Sequence, residues 1–429
     1  MHHCWLASRR ERWQPRRCDK AKGLVGRLLP LTLVLLCGGC GLSLPIDHTL
    51  VVYIENEVLR DRRLAALSRQ ANRRIIEGVS DRFRLLRPDA RVHIRFLPRE
   101  RLLPVLRDRA LLGLGPDLVL SESTLARAIA AEGLIEPVDL AAIRSELPDL
   151  RFIEAFKSPQ GQEAVPVTAE PQLACFDRRR LKVSPDSLEE LLPKAASGLR
   201  VGLPLKIRDL YWTSSAFGAS GPLERLLEVK SGTAALPLGD REALQRWIAW
   251  LGAANRLQNV SFHDANSDLE SLLSQGNVDW ISCSSLSIGK LQKVMGRSLG
   301  VAPLPGLPGE PADFLLRLVV LSFGIDSTEA QRNLAGAFAL LLVNDVSQKQ
   351  LMLLVPGVVP VNRNVPLPTK SSQMYRALAE SVSHGRLLPS ATGAVDANAA
   401  RLEGQLTRLM AGELRSDRVL PAYLIGGPP

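Results

Sequence analysis

Aromatic side chains are scarce in this chain, at 5% of 429 residues. A site built on stacked rings has few to draw on. Metal-ligand spacing is missing too. His48, His93, His263 and His384 stand apart from one another and from any Cys or acid at ligand spacing, which leaves no zinc pattern. There is no P-loop, no HExxH helix and no G-x-S-x-G elbow. No cofactor and no metal are therefore expected, and the chain reads as a non-enzyme. Asp264-Ala-Asn-Ser-Asp268 imitates the start of a calcium loop, but Leu269 and Gln275 stand where glycine and glutamate are required. The spacing predicts a polar cap on the following helix instead.

What is present starts with the leader. Leu31-Thr-Leu-Val-Leu-Leu-Cys-Gly-Gly-Cys40 follows a basic segment. The apolar run Leu28–Leu36 is too short for a bilayer, which needs about 20 residues. It has the length of a signal-peptide apolar region, with small residues before a cysteine. The segment resembles a bacterial lipoprotein signal, with Cys37 where leucine is usual. It implies removal of residues 1–39, lipidation of Cys40 and a site on the extracytoplasmic face of the cell membrane, in the periplasm where there is one. Cys37 and Cys40 also have C-x-x-C spacing, but a redox pair belongs at a helix start in a folded domain. Val25 is an alternative start of translation.

The leader carries eight Lys/Arg and two acids. Taking these from the chain's 54 and 44 leaves 46 and 42, a net of +4 rather than +10. The high pI is partly a leader effect, so no nucleic-acid partner is expected. The remainder exceeds one hydrophobic core, which predicts two domains. Beyond Cys40 only Cys175 and Cys283 remain. Two distant cysteines cannot be paired from sequence, and two buried free thiols are expected.

Leu50-Val-Val-Tyr-Ile54 reads as a buried strand, and Leu64, Leu67, Ala71, Ile75, Val79 and Phe83 as one face of a long helix ended by Pro88. Val92, Ile94 and Phe96 alternate with Arg91, His93 and Arg95, a half-buried strand. Helices are expected at 101–112 and 122–132, with the strand Leu118-Val-Leu120 between them. Strands alternating with helices indicate an α/β domain with a mainly parallel sheet, whose ligands sit beyond the strands' carboxyl ends. That places Glu55, Asn56, Ser121 and Glu122 at a cleft. Further on, 166–176 reads as extended and Ser187 with Glu190 as a capping box. Residues 241–257 and 327–343 read as helices, and 278–281 and 318–323 as strands. Helical periodicity at 399–414 predicts that the C-terminal segment packs on the second lobe. Residues 60–109 hold fifteen arginines against six acids. Most are expected on a solvated helix face that touches anionic lipid near the tether.

Four segments carry a resemblance: Gly115-Pro-Asp-Leu-Val-Leu120 with Ala130-Ala-Glu-Gly-Leu-Ile-Glu-Pro-Val-Asp139; Ala164-Val-Pro-Val-Thr-Ala-Glu170 with Phe176-Asp-Arg-Arg-Arg-Leu-Lys182; Gly300-Val-Ala-Pro-Leu-Pro-Gly306; and Leu341-Leu-Val-Asn-Asp-Val-Ser-Gln-Lys-Gln350 with Val359-Pro-Val-Asn-Arg-Asn-Val365. In this order they resemble the extracellular solute-binding proteins of family 1, the sugar-type receptors of ABC importers. The resemblance implies a two-lobed α/β fold with ligand in the cleft, closing by hinge motion. The expected lobes are 47–168 plus 318–363, and 169–317 plus 364–429. It implies a monomer that carries a small polar, sugar-like solute to permease subunits. Glu170 matches a position that hydrogen-bonds a sugar hydroxyl, and Ser282 a strand-end serine. Tyr211 and Trp212 fall where second-lobe rings stack on sugars, with core packing as their other reading. The expected ligand set is Glu55, Asn56, Ser121, Glu170, Tyr211, Trp212 and Ser282. Cys283-Ser-Ser285 and Gly357-Val358 stand where the family has further rings. Those losses leave open a non-transport sensor or interaction lipoprotein on the same fold.

Overall fold

The computed structural model describes residues 48–56, 76–138, 147–228, 236–264, 267–388 and 393–425. The leader, Cys40 and the first half of the helix expected from Leu64 lie outside them. Residues Pro45–Pro429 form one compact unit. Its strands are, in chain order, β1 (Thr49–Asn56), β2 (Arg91–Pro98), β3 (Leu118–Glu122), β4 (Lys157–Ser158), β5 (Gly161–Gln162), β6 (Ala164–Glu170), β7 (Gln172–Asp177), β8 (Val201–Pro204), β9 (Val260–His263), β10 (Trp280–Ser284), β11 (Leu299–Ala302), β12 (Phe314–Leu315), β13 (Arg317–Phe323), β14 (Val359–Pro360) and β15 (Gly385–Arg386).

Two larger sheets result. The first has the order β14-β6-β13-β3-β1-β2 and the second β11-β7-β10-β8-β9. In the first sheet β1 runs parallel to β2 and β3, and β13 inserts antiparallel between β3 and β6. β1 is apolar on both sides because helices cover both faces. Leu50, Val52 and Ile54 pack with Val79 and Phe83 of the helix at 76–86, while Tyr53 packs with Leu102 and Leu106 of the helix Arg99–Ala110. β2 is the edge, and its alternation leaves Arg91, His93 and Arg95 in or near solvent, a charged edge that discourages pairing with another chain. Pro166 lies inside β6 and has no N–H to give. The β6–β13 register shifts beside it, Val319 pairing with Thr168 and Val320 with Pro166. Such a bulge is where a strand tolerates proline.

The chain passes from the first sheet to the second between Glu170 and Gln172, and returns between β11 and β13. Cys175 and Cys283 are joined by a disulfide, with Cα atoms 5.9 Å apart. This corrects the expectation of two free thiols. β7 and β10 are antiparallel neighbours in which Cys175 faces Ile281 and Cys283 faces Leu173, so the cysteines are diagonal partners on one face. Disulfides persist in oxidising compartments and are rare in reducing ones.

The C-terminal segment folds as expected into the helices Gly393–Met410 and Ser416–Ile425. Their Leu402, Leu406 and Val419 share a core with Leu223, Leu244, Trp247 and Leu251. Asp268 caps the helix Leu269–Ser274, accepting from the Ser271 N–H at 3.0 Å. Ser187 precedes the helix Leu188–Ala196 but makes no side-chain cap bond. The capping box occurs instead at Thr328 and Gln331, ahead of Glu329–Val343.

Gly357, just before β14, lies against the Ser285 backbone at a point that admits no side chain. Its φ is +99°, and a Cβ there would stand 1.8 Å from the Ser285 carbonyl oxygen. Gly357→Ala should cost roughly 2–4 kcal/mol, from left-handed strain plus displacement of backbone. A chemical denaturation midpoint indistinguishable from wild type would refute this.

Candidate functional site

The carboxyl ends of β1 and β3 face the start of the second sheet, and charged side chains meet there. Arg99 follows β2 directly. Its Nη1 donates to Glu55 Oε1 at 2.8 Å and to Glu122 Oε2 at 3.0 Å, and its Nη2 donates to Thr124 Oγ1 at 2.8 Å. The Glu122 N–H donates to Glu55 Oε2 at 2.7 Å. From the other side, Arg208 in the helix Ile207–Leu210 donates to Glu122 Oε1. That ion pair spans the cleft. Gln172 braces it by donating to the Arg208 carbonyl at 3.4 Å and to Asp209 Oδ1 at 3.3 Å. Arg317 lies 3.2 Å from Glu170, its cross-strand neighbour.

The electrostatics follow from this crowding. Burial would push the Glu122 carboxyl up, but the charges of Arg208, Arg317 and Arg99 outweigh it and hold the group below its ordinary value. Burial would lower Arg99, but Glu122 and Glu55 raise it instead. Both groups are charged at neutral pH.

A cavity of about 770 Å³ opens beside this network, lined on one side by Arg99, Leu103 and Thr124, and on the other by Arg208, Leu227 and Val395. The volume falls in the usual range for small-molecule sites, roughly 300–1,000 Å³. Among the described residues that line it there is no aromatic ring. A second cavity, of about 440 Å³, lies at the far end of the second sheet beside the Arg200–Asp279 pair and takes no part in the cleft.

The structure brings together part of the expected set. Glu55 is inside the network. Asn56 is half-buried at the end of β1. Ser121 is buried in β3 with its hydroxyl unpartnered, Glu170 is buried against Arg317, and Ser282 is buried in β10. Tyr211 and Trp212 sit elsewhere. Both are fully buried. Tyr211 belongs to the helical core and donates its hydroxyl to Glu224, and burial together with that carboxylate pushes the phenol up. Trp212 packs on Trp280 with ring centroids 5.8 Å apart. Their core reading describes this arrangement, and neither ring forms a cleft wall. Arg99, Arg208, Arg317 and Thr124 were missing from the expected set. The strand-end rule already indicated Glu122, and Arg99, first residue after β2, answers to the same rule.

Comparisons give the fold its context. No family model matches the chain, and no curated protein matches it in sequence. Solved structures do match. One is a cyclo/maltodextrin-binding protein solved with maltotetraose, at TM-score 0.70 and 15% identity over 88% of this chain and 95% of that one. Another is the GacH receptor of Streptomyces glaucescens GLA.O, solved unliganded and with acarbose, at TM-score 0.65 and 17% identity over 87% of this chain and 96% of that one. The fold is that of a sugar-type solute-binding protein. The Glu122–Arg208 pair links the end of β3 in the first sheet to the short helix that follows β8 of the second. One of these neighbours is described as a binding protein and the other as a receptor. Among the described residues no helix is long and apolar enough to cross a membrane.

Proposed function

We propose that this protein is the lipid-anchored capture component of an ABC importer of the family 1 type, holding a small polar solute of carbohydrate class between its lobes. The observation that carries this reading is the cleft. It has the size for a small solute, lies at strand carboxyl ends, and offers dense hydrogen-bonding groups on a fold shared with sugar receptors. Cys40 is the lipid anchor, and the lobes divide where the chain passes between the two sheets, at 170–172, between β11 and β13, and after β14. Glu55, Asn56, Ser121 and Glu170 serve from the side of the first sheet, and Ser282 from the second. Thr124 and Arg208 join them. Aliphatic side chains such as Leu103 and Leu227 take the part that rings play in a stacked site, so shape and hydrogen bonds outweigh stacking. Binding entails no chemistry, and the protein acts as a monomer.

A thermal-shift screen of residues 41–429 against sugars, polyols, phosphorylated sugars and amino acids tests this. A ligand at 100 times its Kd stabilises by about 2.7 kcal/mol. One clear sugar-class hit supports capture. Glu170→Ala should then weaken that ligand by about 1–3 kcal/mol, through an unmatched buried polar group. Unchanged affinity by calorimetry removes Glu170 from the site. The second reading, a sensor or interaction lipoprotein, is favoured by the ring-free cavity and by an ion pair that already spans the cleft. A flat screen with folded protein selects it.

A further inference from the structure

The end of the first sheet opposite the cleft is unusually apolar for a solvent-facing surface. Leu85 and Leu86 end the helix at 76–86 just before β2. Leu111, Leu112 and Leu114 follow the helix Arg99–Ala110 just before β3. Ile325 follows β13. The five leucines are between 57% and 85% exposed. Strand pairing brings them together. Thr49 pairs with Arg91, Val52 with Leu118, and Leu118 with Phe323, so the starts of β1, β2 and β3 and the end of β13 form one row. Four neighbouring strands span about 15 Å. Large exposed apolar patches on a soluble protein mark interaction surfaces.

Two further observations say what covers this end. First, β1 begins here, so the chain arrives from Cys40 at this end, through only eight residues to His48. At about 3.3–3.6 Å per residue that is a reach below roughly 30 Å. His48 lies at the same end, its Nδ1 3.0 Å from the Asp89 carboxylate. Second, the apolar group is ringed by cations. Arg87, Arg91 and Arg109 have no ion-pair partner among the described residues. Asp89 is engaged by His48 and Asp326 by the Gly115 N–H, and exposed Asp108 beside Arg109 leaves the cations in excess. Leucines flanked by arginines match a bilayer interface, where apolar side chains enter the acyl boundary and guanidiniums meet lipid phosphates.

We infer that this leucine–arginine end docks on the anionic surface of the membrane to which Cys40 is tethered. The inference rests on the lipid-anchor part of the proposed function, not on the solute. Docked this way, the first lobe stands on the bilayer with the cleft open to solute; this is a resting pose, which the tethered protein leaves to present its cleft to a permease.

The test uses residues 40–429 coupled through Cys40 to a maleimide lipid in vesicles containing phosphatidylglycerol. Cys40 is the only free thiol there, because Cys175 and Cys283 are paired. Hydroxyl-radical footprinting then reads side-chain exposure. Oxidation of Leu85–Leu86 and Leu111–Leu114 should slow about fivefold on tethering, while exposed Val183 and Val294 stay unchanged. The triple variant R87E/R91E/R109E should lose that protection. Equal oxidation with and without tethering overturns the proposal, as does equal slowing at Val183 and Val294. Protection that persists in the triple variant overturns the role given to charge. The mass of the N-terminal peptide from cell membranes tests lipidation of Cys40 separately, and no solute enters either measurement.

Discussion

Replacing both cysteines, Cys175→Ala with Cys283→Ala, should lower the unfolding free energy by about 2–4 kcal/mol, the usual worth of a native disulfide. The closed loop sets the upper limit. The partners are 108 residues apart, for which loop-closure entropy in the unfolded chain gives on the order of 5 kcal/mol. Both cysteines are buried, on adjacent strands of the second sheet, so the variants also lose a packed pair and the loss should not fall near zero. Urea titration with and without reductant separates the causes. Reductant should move wild type toward the variant and leave the variant where it is. A wild-type midpoint indifferent to reductant would show that the thiols are not paired. An effect this size also constrains where the protein folds, because a cytoplasm that keeps the pair reduced would yield the weaker form.

The fold was largely legible because its strands and helices carry local signals. The alternation in β2, the buried run in β1 and the Leu244–Trp247–Ile248–Leu251 face each report their own burial, and each has it. The strand-end rule likewise brought Glu55 and Glu122 to the cleft without any knowledge of their partners. What was not legible depends on pairing across the chain. Cys175 and Cys283 become neighbours only once β7 and β10 are adjacent. Arg208 finds Glu122 from 86 residues away, from a short helix that follows a strand of the other sheet. Nothing local distinguishes it from a solvated arginine. Tyr211 and Trp212 fail for a different reason. A ring contributes as much to a core as to a stacking wall, so residue type alone does not choose between them. The helices that bury Tyr211 come in part from the far C-terminus, including Leu402 and Val419.

Glu122→Gln should produce the second large loss, about 2–4 kcal/mol at pH 7. Breaking a buried ion pair by removing one partner leaves uncompensated charge, and here one carboxylate serves both Arg99 and Arg208 and faces Arg317. Arg99 keeps Glu55 and Arg317 keeps Glu170 as neighbours, and Arg99 and Arg208 are each about a third exposed, so the cost should stay below that of an isolated buried charge. Arg208→Ala is the informative contrast. It removes the cross-cleft bond but leaves Glu122 paired with Arg99, and the lost partner is partly solvated, so about 1 kcal/mol is expected. The pH dependence gives an independent check. The folded carboxyl of Glu122 lies below its ordinary value near 4.5. Its stabilisation is therefore complete above that value and is lost as pH falls through the depressed folded one. The gap between wild type and Glu122→Gln should be constant above about pH 5 and close as the solution is acidified. A gap that persists unchanged under acid would place the effect in packing rather than in charge. If the network holds the lobes together, Glu122→Gln should also raise the radius of gyration in solution scattering, and solute should bring it back. A variant that is destabilised at unchanged radius would mean that the network secures the ends of β1 and β3 and has no hold on the second lobe.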